Sequence, residues 1–263
     1  MLSRSNQTVT LIGAGNVAVY LGKALHKAGY SIREVYSRTQ NHAQALASVL
    51  GAVPVWSPEN IDTHSNFYIF SLKDDSLPEV LASMPPVNGI YIHTSGSTDM
   101  NIFKPCAKNY GVCYPLQTFS KNREINFATI PLFIEGSNPD VESQLLKMAM
   151  DLSGQVTILS SEKRKFLHLS AVFACNFSNH MYTLASSILE AQELPWQYLL
   201  PLIGETAAKV TDMHPKEAQT GPAVRNDQTI MQKQLELLTN ENTRELYRVV
   251  SRGIDSLHKK EDD

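Results

Sequence analysis

Gly13, Gly15 and Ala18 stand in the spacing G-x-G-x-x-A, directly after an apolar run and at the head of an amphipathic stretch. That spacing suits phosphate binding. Gly13 permits a tight turn, Gly15 lets the backbone approach a pyrophosphate, and Ala18 allows a helix to pack closely on a strand. Asn16 and Val17 then contribute unpaired N–H groups at a helix N-terminus, where the helix dipole favours negative charge. A glycine turn without a ligand is the plain alternative, and the strand–helix–strand pattern around it argues against that.

A second group of residues addresses the rest of a dinucleotide. A carboxylate ending the second strand would accept from a ribose 2′-OH, but here the strand ends in Ser37, Arg38 and Thr39. A cation between two hydroxyls suits a 2′-phosphate, which points to NADP(H) rather than NAD. Arg38 as an ordinary solvated loop residue is the competing reading. Leu72, Lys73 and Asp75 follow the fourth strand and should line the cofactor, although Asp75 could equally cap the helix after it. Thr94 and Ser95, in His93-Thr94-Ser95-Gly96-Ser97, end the next strand, with Ser95 placed to orient a carbonyl or simply to cap the turn. Tyr114 and residues 115–119 could close the pocket, with no evident acid or base among them.

Candidate chemistry then moves to a long apolar segment. Lys165, His168, Val172 and Asn176 recur at spacings of three and four, which puts them on one face of a helix. A histidine and an asparagine there need polar partners, from a ligand or from an interface. Residues 220–227 form the most irregular stretch of the second half. Arg225 could grip a substrate carboxylate, with Asp227 holding Arg225 or capping the next helix.

These residues need a scaffold, and the patterning supplies one. Strands are expected at 9–12, 32–37, 52–55, 66–71, 89–93, 111–114, 131–134 and 156–159. Helices are expected at 16–28, 40–50, 76–83, 100–108 and 139–152 among them, and then at 162–193, 196–213, 227–238 and 240–257. This is an α/β chain: an N-terminal Rossmann domain with a mostly parallel sheet over residues 1–160, followed by an all-α domain over 161–263.

Composition narrows the functional classes. A formal charge of −3 gives no broad basic face for nucleic acid, and 43% hydrophobic residues suffice for a sizeable core. Cys106, Cys113 and Cys175 lack metal-ligand spacing and are odd in number, so no metal and no disulfide framework are expected, in keeping with a cytoplasmic protein. The first ten residues lack the apolar core of an export signal, and the charged end from 259 to 263 is expected to fray. Residues 166–189 carry no Asp, Glu, Lys or Arg, but polar side chains at Ser170, Asn176, Ser178, Asn179, His180 and Thr183 argue for a buried helix and against a membrane span.

Gly13-x-Gly15-x-x-Ala18, Ser37-Arg38-Thr39, residues 93–97, 115–119 and 168–176, and Thr220-Gly221-Pro222 through Arg225-x-Asp227 together resemble the Rossmann-like NADP oxidoreductases with a helical C-terminal domain of formerly unknown function. Relatives of that family include pyrroline-5-carboxylate reductases, deazaflavin-dependent NADP reductases and 6-phosphogluconate/3-hydroxyacid dehydrogenases, and some members are held to be an alternative type of ketopantoate reductase. The resemblance implies hydride transfer between NADPH and a small carbonyl substrate such as a 2-oxo acid, in a cleft between domains. His168 would be the proton donor, Asn176 and Ser95 would orient the carbonyl, and Arg225 would hold the carboxylate. The dehydrogenases place a lysine four residues before the asparagine, where this chain has Val172. That departure favours His168 over Lys165 as the acid, since an imidazole titrates near neutrality. Imine reduction and a non-catalytic NADP sensor are the alternatives. The resemblance also implies a homodimer, paired through an apolar stripe at 181–189.

Overall fold

The computed structural model describes residues 7–120 and 123–259. The first six residues, and the end from 260, lie outside the described residues, and with them most of the expected frayed end.

The sheet-forming unit opens with β1 (Thr8–Ile12), α1 (Asn16–Lys27), β2 (Ser31–Tyr36), α2 (Gln40–Leu50) and β3 (Val53–Val55). It continues through β4 (Phe67–Phe70), α3 (Leu77–Ser83), β5 (Ile90–His93) and β6 (Tyr110–Pro115). β7 (Leu132–Gly136), α4 (Pro139–Leu152), β8 (Val156–Ile158) and α5 (Ser161–Ala171) complete it. The strands form one eight-stranded sheet in the order β3-β2-β1-β4-β5-β6-β7-β8. All neighbours run parallel except β6 and β7, which pair antiparallel from Gly111↔Gly136 to Pro115↔Leu132. The strand order reverses between β1 and β4, the switch point at which open α/β sheets bind ligands beyond their carboxyl ends.

Both faces of the sheet are covered, so β4 and β5 are buried at every position and read as continuous apolar runs. On one face Val9, Leu11 and Ile69 pack with α1, α2 and α4 through Leu21, Leu46 and Leu145. On the other, Ile12, Phe70 and Tyr91 pack with Leu77, Val80 and Phe103. Local chemistry sets the ends of the helices: Asn138 caps α4 at Val141 N, and α2 stops at Gly51, whose φ is 65°. The helix expected at 100–108 is only a 3₁₀ segment, Met100–Phe103, since Pro105 offers no N–H to carry the ladder on.

One compact unit ends at Asn176 and the second begins at Phe177, beyond the boundary after residue 160 that the change in sequence texture suggested. The physical reason is α5. Its Arg164 is 0% exposed, with Nη1 donating to Glu135 Oε2 at 2.9 Å and Nη2 to Ser161 Oγ at 3.0 Å and Thr98 O at 2.5 Å. Ser161 Oγ donates to the same carboxylate and accepts from Met100 N, which roots α5 in the sheet unit. The long helix is also not uniform, since a π-helical segment, Val172–Phe177, follows α5.

The second unit consists of α6 (Ser178–Glu190), a 3₁₀ turn started by Pro195, α7 (Leu200–Asp212), α8 (Pro215–Ala218), α9 (Gln228–Leu237) and α10 (Glu241–His258). Among its described residues only Ala223 and Met231 are buried. No helix among the described residues is long and apolar enough to cross a membrane.

Candidate active site

A cleft of about 820 Å³ opens at the carboxyl edge of the sheet. Its wall includes Gly15, Asn16, Val17, Leu72, Lys73, Thr94, Ser95, His168 and Asn176 from the residues singled out in the sequence, all within the first unit.

The glycine turn is built as its spacing demands. Gly13 has φ +121°, and a Cβ there would meet Ser71 O at 2.3 Å, so only glycine fits between β1 and β4. Its N–H donates to Tyr36 O at 2.9 Å, which ties the turn to β2. Nothing lies within 4 Å of where a Gly15 Cβ would stand, and that open space faces the cleft. The N-terminus of α1 has no side-chain cap and no acidic residue in its first turn. Uncapped N–H groups beside an open approach fit a pyrophosphate. Asn16 Nδ2 donates to Phe119 O at 2.7 Å and so holds the loop after β6 against the turn.

Ser37, Arg38 and Thr39 lie off the cleft wall, at the carboxyl end of β2. Ser37 Oγ accepts from Thr39 N at 3.2 Å. Arg38, with its side chain 63% exposed, is 3.4 Å from both Glu79 and Ser76 Oγ. An exposed, long contact of this kind leaves the guanidinium available to a phosphate. Asp75 is in the 3₁₀ turn before α3, off the cleft wall like Arg38, and the α3 N-cap is Ser76, which makes no side-chain capping bond, so the capping alternative for Asp75 is not formed.

The loop after β5 is held by its own hydroxyls. Ser95 Oγ accepts from Ser97 N at 3.1 Å and Thr98 N at 3.0 Å, the capping role weighed as its alternative, while the residue still faces the cleft. Thr94 Oγ1 donates to Ser71 Oγ at 3.3 Å. Beneath them His93 is 1% exposed, and burial, reinforced by the Arg164 charge, pushes its pKa down to about 3. Its Nδ1 accepts from Ser95 N, and its Nε2 is buried without a partner among the described residues.

The α5 wall differs from the regular helical face expected of it. Leu167, His168, Ser170, Ala171, Ala174, Cys175 and Asn176 line the cleft, but Lys165 and Val172 do not. Lys165 instead pairs with Asp99 at 3.7 Å. The wider π turn brings residues 174–176 to the His168 side, a change of period that spacings of three and four cannot represent.

Tyr114, expected only to close the pocket, has a polar role. Its Oη lies 2.9 Å from His168 Nδ1, with the rings edge-on at 78°. Burial raises the phenol pKa, against an opposing pull from Arg164. A Cβ on Gly96 would stand 2.5 Å from His168 Nδ1, so this glycine makes room for the ring. The clue available in the sequence was position, because Tyr114 ends a strand on the ligand-binding edge.

In the second unit, residues 222–227 make a tight turn, with Arg225 N and Asp227 N both bonded to Pro222 O. Asp227 Oδ1 accepts from Ile230 N, which fulfils the capping alternative. No group of His, Cys, Asp and Glu suited to a metal occurs among the described residues.

Fold and cleft define a Rossmann-type oxidoreductase architecture. One family model, described as a Rossmann-like domain, matches residues 2–119, and another, described as a domain of unknown function (DUF2520), matches 130–254. A Bacteroides fragilis protein assigned as an NADP oxidoreductase is 42% identical over 97% of this chain and 100% of its own, with a TM-score of 0.90. The chain therefore belongs to the family of Rossmann-like oxidoreductases with a DUF2520 C-terminal region. A Thermotoga maritima protein shares the fold at 21% identity and TM-score 0.80, covering 96% of this chain and all of its own. The Myxococcus stipitatus imine reductase, solved with NADP+, does so at 18% identity and TM-score 0.66, covering 95% and 92%. Comparison with curated proteins returns no match.

Proposed function

We propose that the chain is an NADP(H)-dependent reductase acting on a small carbonyl compound, in the first instance a 2-oxo acid such as ketopantoate. The observation that carries this reading is the placement of His168 and Asn176 on the same cleft wall as the uncapped N-terminus of α1 and Gly15. The nucleotide, when bound, supplies the hydride. Gly15, Asn16 and Val17 hold its pyrophosphate, Arg38 its 2′-phosphate, and Leu72, Lys73 and Thr94 its path along the sheet edge. His168 gives a proton to the oxygen that develops charge, and Asn176 and Ser95 orient the carbonyl.

Imine reduction is the second reading. It is favoured by a wall that, Lys73 and His168 apart, bears no basic side chain among its described residues, and by the kinship in fold with an imine reductase. An iminium acceptor becomes a neutral amine on gaining hydride and needs no proton at that step.

We further propose a homodimer paired through the helical unit, whose Met181, Ile188 and Leu202 are exposed. The three free thiols suit a reducing cytoplasm.

The test is a titration with NADPH and NADH followed by nicotinamide fluorescence, and then addition of ketopantoate or pyrroline-5-carboxylate. NADPH binding followed by oxidation with one of them establishes the reaction class, and binding of neither nucleotide overturns the reading. Arg38→Ala should weaken NADPH about tenfold or more while leaving NADH nearly unchanged.

A further inference from the structure

The hydrogen bond between Tyr114 Oη and His168 Nδ1 has two possible directions, and they give the cleft opposite chemistry. If the phenol donates, the neutral imidazole carries its proton on Nε2 and offers an N–H. If Nδ1 of the neutral ring donates, Nε2 offers only a lone pair, which would repel an oxygen gaining negative charge.

We propose that Tyr114 is a positioning residue that donates to Nδ1, holds neutral His168 as the Nε2–H tautomer directed at a substrate oxygen, and resupplies the donated proton through the same bond. The proposal rests on His168 being the proton donor of the reductase reading.

Three observations support it. Tyr114 is buried, and its hydroxyl bonds to His168 alone among the described residues, so the opposite direction would strand a phenolic proton without an acceptor. Burial raises the phenol pKa, which keeps that proton in place at neutral pH. His168 Nε2 makes no hydrogen bond among the described residues, although the side chain lines the cleft. Gly96, tight against the imidazole, and the edge-on Tyr114 ring confine it from two sides, so the tautomer is tied to one orientation.

The step balances. As hydride arrives at carbon, the Nε2–H bond breaks and the proton joins the carbonyl oxygen. The Tyr114 O–H bond breaks in turn, and its proton moves to Nδ1. His168 is then neutral with a single proton, and the phenolate, which burial disfavours, regains its proton from water.

The experiment is ¹⁵N spectroscopy of histidine-labelled full-length protein without nucleotide, at alkaline pH, with His168 assigned by its loss in His168→Asn. The expected spectrum has one tautomer, with Nε2 bearing the proton; in Tyr114→Phe a sizeable share of Nδ1–H should appear. With a carbonyl substrate, Tyr114→Phe should lower kcat about tenfold or more and leave KM within about twofold. A wild-type spectrum with the proton on Nδ1, or one that Tyr114→Phe does not alter, overturns the proposal. The wild-type spectrum fixes the direction of the bond without any variant having to fold. Since it needs no turnover, a protein that shows the Nε2–H form yet reduces no carbonyl would refute the reductase reading and leave the tautomer assignment standing.

Discussion

Gly13 and Gly15 are two residues apart, and the structure gives them different duties that one pair of substitutions separates. A methyl group on Gly13 meets Ser71 O at 2.3 Å on a backbone with φ +121°. Gly13→Ala should therefore cost about 1–3 kcal/mol of stability, read as a lower melting temperature without any ligand. Gly15→Ala places its methyl in open space, so the melting temperature should hold while NADPH affinity falls about tenfold or more, about 1.4 kcal/mol, by fluorescence titration. Equal loss of stability in both variants would contradict this division. The difference between the two glycines was legible in the sequence because the motif encodes backbone conformation locally. Tyr114 was not, because its role depends on a residue far along the chain that only the fold brings within 2.9 Å.

At the scale of elements, the end of β5 carries a concealed pH dependence. Folded His93 has its pKa depressed to about 3, by burial first and the Arg164 charge second, with Asp74 and Asp99 opposing. In the unfolded chain it returns to about 6.5. The unfolded state thus binds the extra proton between those values, and stability falls as pH drops below about 6.5, by up to about 1.4 kcal/mol per unit. By pH 5 the loss from this one group should be about 2 kcal/mol. His93→Asn keeps an acceptor for Ser95 N without the titration, so denaturant melts from pH 7 to 5 should show a flatter slope than wild type. An identical slope would mean that His93 takes up its proton while folded. The strands, and most helices apart from the 100–108 segment, followed from apolar runs, caps and prolines. The π turn and the rooting of α5 by Arg164 did not, since one is a small change of helical period and the other a long-range buried ion pair with Glu135.

For the molecule as a whole, the helical unit presents a problem of stability. Only two of its described residues, Ala223 and Met231, are buried, while Leu202, Val210, Leu237 and Val249 are among its exposed apolar side chains. Helices of ordinary length are marginal in water without tertiary packing, and a unit this small needs a buried core. Apolar exposure on this scale is what the proposed homodimer would cover, and a second copy is the partner that every molecule of this chain has at hand. A stable pairing buries about 1,200–2,000 Å². Sedimentation at micromolar concentration should therefore give twice the chain mass. Because association is linked to folding, the melting temperature should rise with protein concentration. Ile188→Glu, which introduces a charge into the apolar stripe of α6, should shift the mass toward the monomer and remove that concentration dependence. A wild-type monomer whose melting temperature is independent of concentration would require the helical unit to be stable with two buried residues, and the homodimer would have to be abandoned.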